Sequence, residues 1–93
     1  MGSSPDAEAA WLRLARLRIE AGLHVDALEA LDAHERRFRS GALGPEALFL
    51  RVEAALAGDD RDMARAAARQ LAERFPGSAQ ARAARARVAD LAP

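Results

Sequence analysis

Apolar residues recur at spacings of three and four along most of the chain, which is the period of a helix with one buried face. Two stripes illustrate the pattern: Ala27, Leu28, Leu31, His34 and Phe38 in one segment, and Met63, Ala64, Ala67, Ala68, Leu71 and Phe75 in another. No segment alternates between polar and apolar residues as a half-buried strand does. The pattern therefore predicts an all-α protein.

Glycine, proline and capping residues divide the chain into five predicted helices, because these residues mark helix ends. The predictions are helix A from about Pro5 to Ala21 with a cap at Ser4, helix B from about Val25 to Phe38, helix C from Pro45 to just before Gly58, helix D from a cap at Asp59 or Asp60 to Pro76, and helix E after a cap at Ser78. The short turns between these helices predict antiparallel neighbours.

The length and composition predict a single domain over residues 1–93. A chain of 93 residues is too short for two independent cores. It has 25 alanines, 12 leucines and four aromatic residues, so its core is expected to be built from small side chains on closely packed helices. The absence of cysteine excludes a disulfide framework and a cysteine-ligated zinc site.

Charge is balanced overall but unevenly distributed. The net charge is zero, with a balance of −4 in residues 1–35 and +4 in residues 61–93. All basic residues are arginine, and lysine and asparagine are absent, which is typical of a GC-rich, bacterial genome. A patch for anions is conceivable at Arg74, Arg82, Arg85 and Arg87, but no aromatic residues alternate with these arginines for base stacking. We expect a solvated face and no nucleic-acid partner.

No membrane segment is predicted. No apolar run approaches the roughly 18 residues that a membrane-spanning helix needs. The first ten residues have neither the basic start nor the apolar stretch of a signal peptide. The localisation is left open by the sequence: cytoplasmic if the chain is complete, and periplasmic if it is part of an envelope protein.

The helix A–B and C–D pairs have similar lengths and stops, which indicates an internal repeat. Trp11 and Ala47, taken as equivalent positions, lie 36 residues apart, close to the ~34-residue period of tetratricopeptide repeats. The segment W-L-R-L-A at 11–15 resembles the opening of that family's repeat. Gly22, Ala27 and Leu31 match its inter-helix glycine, its small residue and its large apolar residue in helix B.

The second copy resembles the family most at its end. It has Ala64, Ala68, Leu71 and Pro76, and the run A-E-R-F-P-G-S at 72–78 is similar to the ending of bacterial envelope-type members. Five positions depart from the family's repeat pattern. In the first copy, Arg18 stands in place of a tyrosine, His34 in place of an alanine and Arg39 in place of a proline. In the second copy, Ala47 replaces the tryptophan and Arg51 replaces the small residue.

The resemblance implies a short right-handed α-solenoid. Repeat one would cover about 6–39, repeat two about 45–77, and a capping helix about 78–91. The exposed side of helix A would then have no neighbour, since each repeat in such a stack completes the core of the next.

No group of residues in the sequence is typical of an active site. Ser4 and Ser78 are explained as helix caps. His24 and His34 lack metal-ligand spacing, and His34 is interpreted as a core or boundary residue. Asp59, Asp60 and Asp62 lack the downstream ligands of a calcium loop and are interpreted as a cap. We therefore predict a protein that is not an enzyme and needs no cofactor and no metal.

The resemblance also implies a binding groove, because the first helix of each repeat lines the concave surface of such folds. The matching candidate residues are Leu12, Arg13, Arg16, Ile19 and Glu20 on helix A, and Leu48, Phe49, Val52 and Leu56 on helix C. The alternative is that Leu48, Val52 and Leu56 belong to the core. The known carboxylate clamp of the family needs lysine and asparagine, which this chain lacks, although Arg13 and Arg16 are suited to hold an acidic group.

Two functions follow from this sequence. The first is a protein–protein interaction module whose groove accepts a peptide or a partner protein. The second is a self-assembly module, a homodimer or part of a longer repeat array, that uses the uncovered face of helix A around Trp11.

Overall fold

The chain folds into helices joined by short links. The structure is a computed structural model that describes residues 5–39 and 41–91. Over these residues there are five helices and no strand: α1 Pro5–Glu20, α2 His24–Arg37, α3 Gly44–Ala57, α4 Arg61–Arg74 and α5 Ala79–Ala89. The predicted all-α fold with five helices is confirmed. Some helix ends differ by about one residue from those predicted. For example, α2 begins at His24 and not Val25, and α3 begins at Gly44 and not Pro45.

Side-chain caps begin the last two helices. The carboxylate of Asp60 accepts a hydrogen bond of 3.0 Å from the Met63 amide, and the hydroxyl of Ser78 accepts one of 3.0 Å from the Ala81 amide. Each cap satisfies an amide that has no partner within its own helix. The predicted cap at Ser4 lies outside the described residues.

The turns set the alignment of the two hairpins. Gly22 in the first turn and Asp59 in the second both adopt a positive φ, of 80° and 57°. When these two positions are superimposed, Trp11 corresponds to Leu48. The sequence suggested Ala47 as the equivalent of Trp11, which is one residue too early. The reason is that Asp59, and not the neighbouring Gly58, adopts the left-handed conformation.

The helices pack in two layers. Helices α1, α3 and α5 lie side by side, α2 packs against α1 and α3, and α4 packs against α3 and α5. Each hairpin is thus followed by a helix that lies against both of its members. The result is an elongated body of 46 × 30 × 17 Å, as expected for a stack of helical repeats.

Helix α3 is buried on two sides. Leu50 and Ala54 join a cluster with residues of α1 and α2, and both are at most 1% exposed. Leu48 and Val52 belong to a second cluster with α4 and with Ala84 of α5. The two clusters therefore share one helix, and each helical hairpin helps to cover the core of the other.

The first prediction concerns this shared helix. Replacement Leu50→Ala should lower the free energy of unfolding by about 2–5 kcal/mol, because the leucine side chain is fully buried between the hairpins. The measurement is urea unfolding followed by circular dichroism. The matched control is Leu17→Ala on α1, where the side chain is 57% exposed and a change within about 0.5 kcal/mol is expected. Equal losses in the two variants would contradict the packing described for α3.

Candidate functional site

A cleft opens on the side of the molecule formed by α1, α3 and α5. Its volume is about 510 Å³, and the link that precedes α3 forms one of its walls. The residues that line it are Ala9, Leu12, Arg13 and Arg16 of α1, Ala42 and Leu43 of the link, Pro45 and Glu46 of α3, and Gln80 of α5. Three helices and a link therefore contribute to one concave surface.

The cleft combines an apolar floor with a basic edge. Leu12 is 6% exposed, and Leu43 and Pro45 are half-buried. Arg13 and Arg16 are exposed and lie three residues apart, so their side chains project from one face of α1. Arg13 forms no hydrogen bond or ion pair with the described part of the chain.

A carboxylate in the middle of the surface joins the three helices. The Gln80 amide donates a hydrogen bond of 2.6 Å to Glu46 Oε1, and the Arg16 guanidinium lies 3.9 Å from Glu46 Oε2. The side chains of Arg16 and Glu46 are 52% and 41% exposed, so this ion pair contributes at most about 1 kcal/mol. Arg16 can therefore turn to another carboxylate at little cost.

Three of the residues predicted from the sequence meet in the cleft. They are Leu12, Arg13 and Arg16. Ile19 and Glu20 lie further along α1, near its last turn, and do not line it. Ile19 is half-buried against the first hairpin, whereas Glu20 is exposed to solvent.

The predicted groove residues of α3 have a different place. Leu48 is 5% exposed and Val52 is fully buried, so both side chains belong to the core with α4 and α5. Phe49 and Leu56 are partly buried against the same cluster. Helix α3 contributes Pro45 and Glu46 to the cleft, whereas these four apolar residues pack against α4 and α5.

Sequence reasoning missed the residues that the other elements bring to the cleft. Nothing in the local sequence singles out Glu46 or the 41–43 link, and the last helix is expected only to cap the stack. A polar residue such as Gln80 near the start of a capping helix was the available signal. Its meaning depends on the packing of α5 against α3, which the local pattern does not contain.

A buried polar pair lies behind the link that forms the cleft wall. The Nε2 atom of His34 donates a hydrogen bond of 2.9 Å to Glu8 Oε2, and the Leu43 amide donates one of 3.1 Å to the same oxygen. Glu8 and His34 are 5% and 2% exposed. The interpretation of His34 as a core residue is confirmed, whereas Glu8 was not singled out from the sequence.

Three of the four arginines in the candidate anion patch have local partners. Arg87 donates a hydrogen bond of 2.7 Å to Glu53, and Arg82 donates one of 2.8 Å to the Gly77 carbonyl. Arg74 lies 5.3 Å from the centre of the Phe75 ring. These contacts are those of an ordinary solvated face.

Other kinds of site lack the groups they require in the described residues. Over 5–39 and 41–91, no three histidine, aspartate or glutamate side chains are placed to hold a metal ion together. In the same part of the chain, no helix has the length and apolar character needed to cross a bilayer.

The comparison with known families concerns the second hairpin. The family model described as Tetratricopeptide repeat matches residues 46–78, which run from the first turn of α3 to the cap of α5. No curated protein and no solved structure shows a significant match to the chain. The family resemblance is thus confirmed over the second hairpin, while the comparison with envelope-type members stays a prediction.

The second prediction concerns the contact of Glu8 with the link. A Cβ atom at Gly41 would collide with the Glu8 carboxylate, which is buried and hydrogen-bonded and so has little room to move. Gly41→Ala should therefore lower the free energy of unfolding by about 1–3 kcal/mol. The measurement is again urea unfolding.

The control repeats the substitution after Glu8→Ala. Removing the carboxylate removes the collision, so the added cost of Gly41→Ala should fall well below its cost in the unchanged protein. Equal costs in the two backgrounds would show that Gly41 does not approach Glu8 closely.

Proposed function

Since the chain carries a tetratricopeptide repeat at residues 46–78, a unit that generally mediates protein–protein interaction, we propose that it is a non-enzymatic interaction module. Its cleft between α1, the 41–43 link and α3 receives a peptide segment of a partner protein. The observation that carries this proposal is the apolar floor of the cleft with two exposed arginines along its edge.

The size of the cleft fits this role. A volume of about 510 Å³ accommodates a few side chains and not a whole domain. An apolar side chain of the peptide packs on Leu12, Leu43 and Pro45. A carboxylate of the peptide binds Arg13, whose guanidinium has five N–H donors and no competing partner among the described residues.

The ionisable groups of the cleft favour binding over catalysis. The guanidinium groups of Arg13 and Arg16 offer hydrogen-bond donors and no acceptor, which suits them to bind a carboxylate. The Glu46 carboxylate is engaged by Gln80 and Arg16. Among the described residues that line the cleft, there is no serine, cysteine, lysine or histidine that would serve as a nucleophile or a general base.

The charge distribution supports a protein partner and not a nucleic acid. The chain has no net charge, and Arg82 and Arg87 of the basic end are held by neighbouring residues. Nucleic-acid binding depends on a surplus of cations free to contact phosphates.

The third prediction tests the cleft with peptides. Binders are selected from a displayed library of random peptides, and the affinity of a selected peptide is measured by fluorescence anisotropy. The double variant Arg13→Ala/Arg16→Ala should weaken binding by roughly tenfold or more, because it removes charge-assisted hydrogen bonds. Its unfolding curve should stay close to that of the unchanged protein.

The matched control is Arg69→Ala on α4, an exposed arginine outside the cleft. This variant should bind the peptide normally. Failure to select any peptide, or an equal loss of affinity in the control, would argue against the cleft as the binding site.

A second candidate function is self-association through the outer face of α1. In the alignment set by the two turns, Leu17 corresponds to Ala54, which is fully buried against the first hairpin. Leu17 is 57% exposed, and two other large apolar residues of the first hairpin, Leu23 and Val25, are 49% and 60% exposed. In α3 this face is covered by the first hairpin, whereas in α1 the equivalent face is exposed. We propose that a hairpin of a second copy of the chain covers it.

Trp11 has no part in this contact. Its ring packs against the cluster of the first hairpin, and the Arg37 guanidinium of α2 lies 5.4 Å from the ring centre. The tryptophan therefore faces α2. The contact that we propose is therefore centred on Leu17, which lies on a different side of α1 from Trp11.

The fourth prediction measures this association. Size-exclusion chromatography with light scattering, from micromolar to millimolar protein, should give a mass that rises above one chain. Leu17→Glu should restore the mass of one chain, because it places a charge in the apolar contact. The control Ala72→Glu on the exposed side of α4 should associate like the unchanged protein.

High salt should leave the mass unchanged if apolar burial holds the copies together. A mass that falls with salt would instead indicate a contact between the acidic and basic ends of the chain. A single-chain mass at every concentration would rule out self-association.

A further inference from the structure

The buried pair of Glu8 and His34 connects three elements at one point. Glu8 lies in the first turn of α1, His34 lies near the end of α2, and the Leu43 amide belongs to the link before α3. Both the 2.9 Å bond from His34 and the 3.1 Å bond from Leu43 end on the same carboxylate oxygen. The position of the link relative to α1 therefore depends on this oxygen.

The surroundings hold the pair in one geometry. The His34 ring stacks on Phe38 with 5.4 Å between the ring centres, which fixes the direction of its Nε2–H. Gly41 passes so close to the Glu8 carboxylate that a side chain would not fit there. The first turn of a helix also favours a negative charge.

The same residues form part of the cleft. Leu43, whose amide is bound by Glu8, contributes to the cleft wall, and so does Ala42 beside it. The wall formed by α1 also begins next to the pair. Ala9, which follows Glu8, and Leu12, about one helical turn further along, both line the cleft. Hydrogen bonds to one carboxylate thus join residues next to two walls of the cleft.

We infer that Glu8 and His34 are positioning residues that hold the link against α1 and so give the cleft the width that its peptide requires. This inference rests on the proposed peptide-binding function. Neither residue contacts the peptide. The pair acts through the Leu43 amide, and its loss lets the 41–43 wall move away from Leu12.

The need for a hydrogen bond, and not merely for a filled space, supports this role. Buried ion or polar pairs can often be replaced by apolar residues of similar volume with little loss of stability. An apolar pair at these positions would fill the core but would leave the Leu43 amide with no acceptor. The glutamate therefore does more than fill space, because its carboxylate binds the Leu43 amide and so holds the link.

The test compares two substitutions of similar size. Glu8→Gln keeps an acceptor oxygen for the Leu43 amide, whereas the double variant Glu8→Met/His34→Leu keeps the volume and removes the acceptor. The first readout is hydrogen exchange of the Leu43 amide, measured by NMR relative to amides in the middle of α3, the helix that both clusters share. The second is the affinity for the peptide selected on the unchanged protein.

We expect Leu43 exchange to accelerate roughly tenfold or more in the double variant, as for the loss of one hydrogen bond to a charged acceptor. The affinity for the peptide should fall in the same double variant. Glu8→Gln should retain most of the exchange protection of Leu43 and most of the peptide affinity. The control Leu71→Ala removes a fully buried side chain from the other cluster. It should destabilise the chain without changing the relative exchange of Leu43.

The outcomes separate this inference from the proposed function. Unchanged Leu43 exchange in the double variant would overturn the positioning role. Faster exchange with unchanged peptide affinity would overturn the link between the pair and the cleft, while peptide binding would stand. Absence of peptide binding by the unchanged protein would overturn the proposed function, and the exchange readout alone would then decide whether the pair holds the link.

Discussion

The burial of α3 on two opposite sides is the constraint on which the structure depends. Leu50 and Ala54 face the first hairpin, while Leu48 and Val52 face α4 and α5. A helix that is apolar on two sides is stable only between two partners. Neither hairpin is therefore complete alone, and the two repeats and α5 are expected to fold as one cooperative unit.

This constraint also determines where the cleft is. Because two sides of α3 are committed to the core, only its narrow remaining face can meet a ligand. That face carries Glu46 and Glu53, which bind Gln80 and Arg87 of α5. Apart from Pro45 in its first turn, α3 therefore leaves the apolar part of the cleft to α1 and to the link before α3, which contribute Leu12 and Leu43.

The fold was predictable from the sequence because its signals are local. Capping at Asp60 and Ser78 involves residues three positions apart, and the helix stripes follow one period. The cleft was predictable only in α1, since Glu46 and Gln80 meet through packing of distant elements. Glu8 was not predictable: an acid in a first helical turn is usually exposed, and its burial depends on His34, which lies 26 residues away.

The two ends of the stack differ in whether their apolar residues are buried. At one end α5 places Ala84 in the core and its arginines outside, so the repeat is closed. At the other end α1 exposes Leu17, where the second repeat buries Ala54. Alanine lets two helices approach closely, whereas leucine keeps them further apart. A partner on α1 must therefore pack less closely than the first hairpin packs on α3, and it must offer a hollow for the leucine.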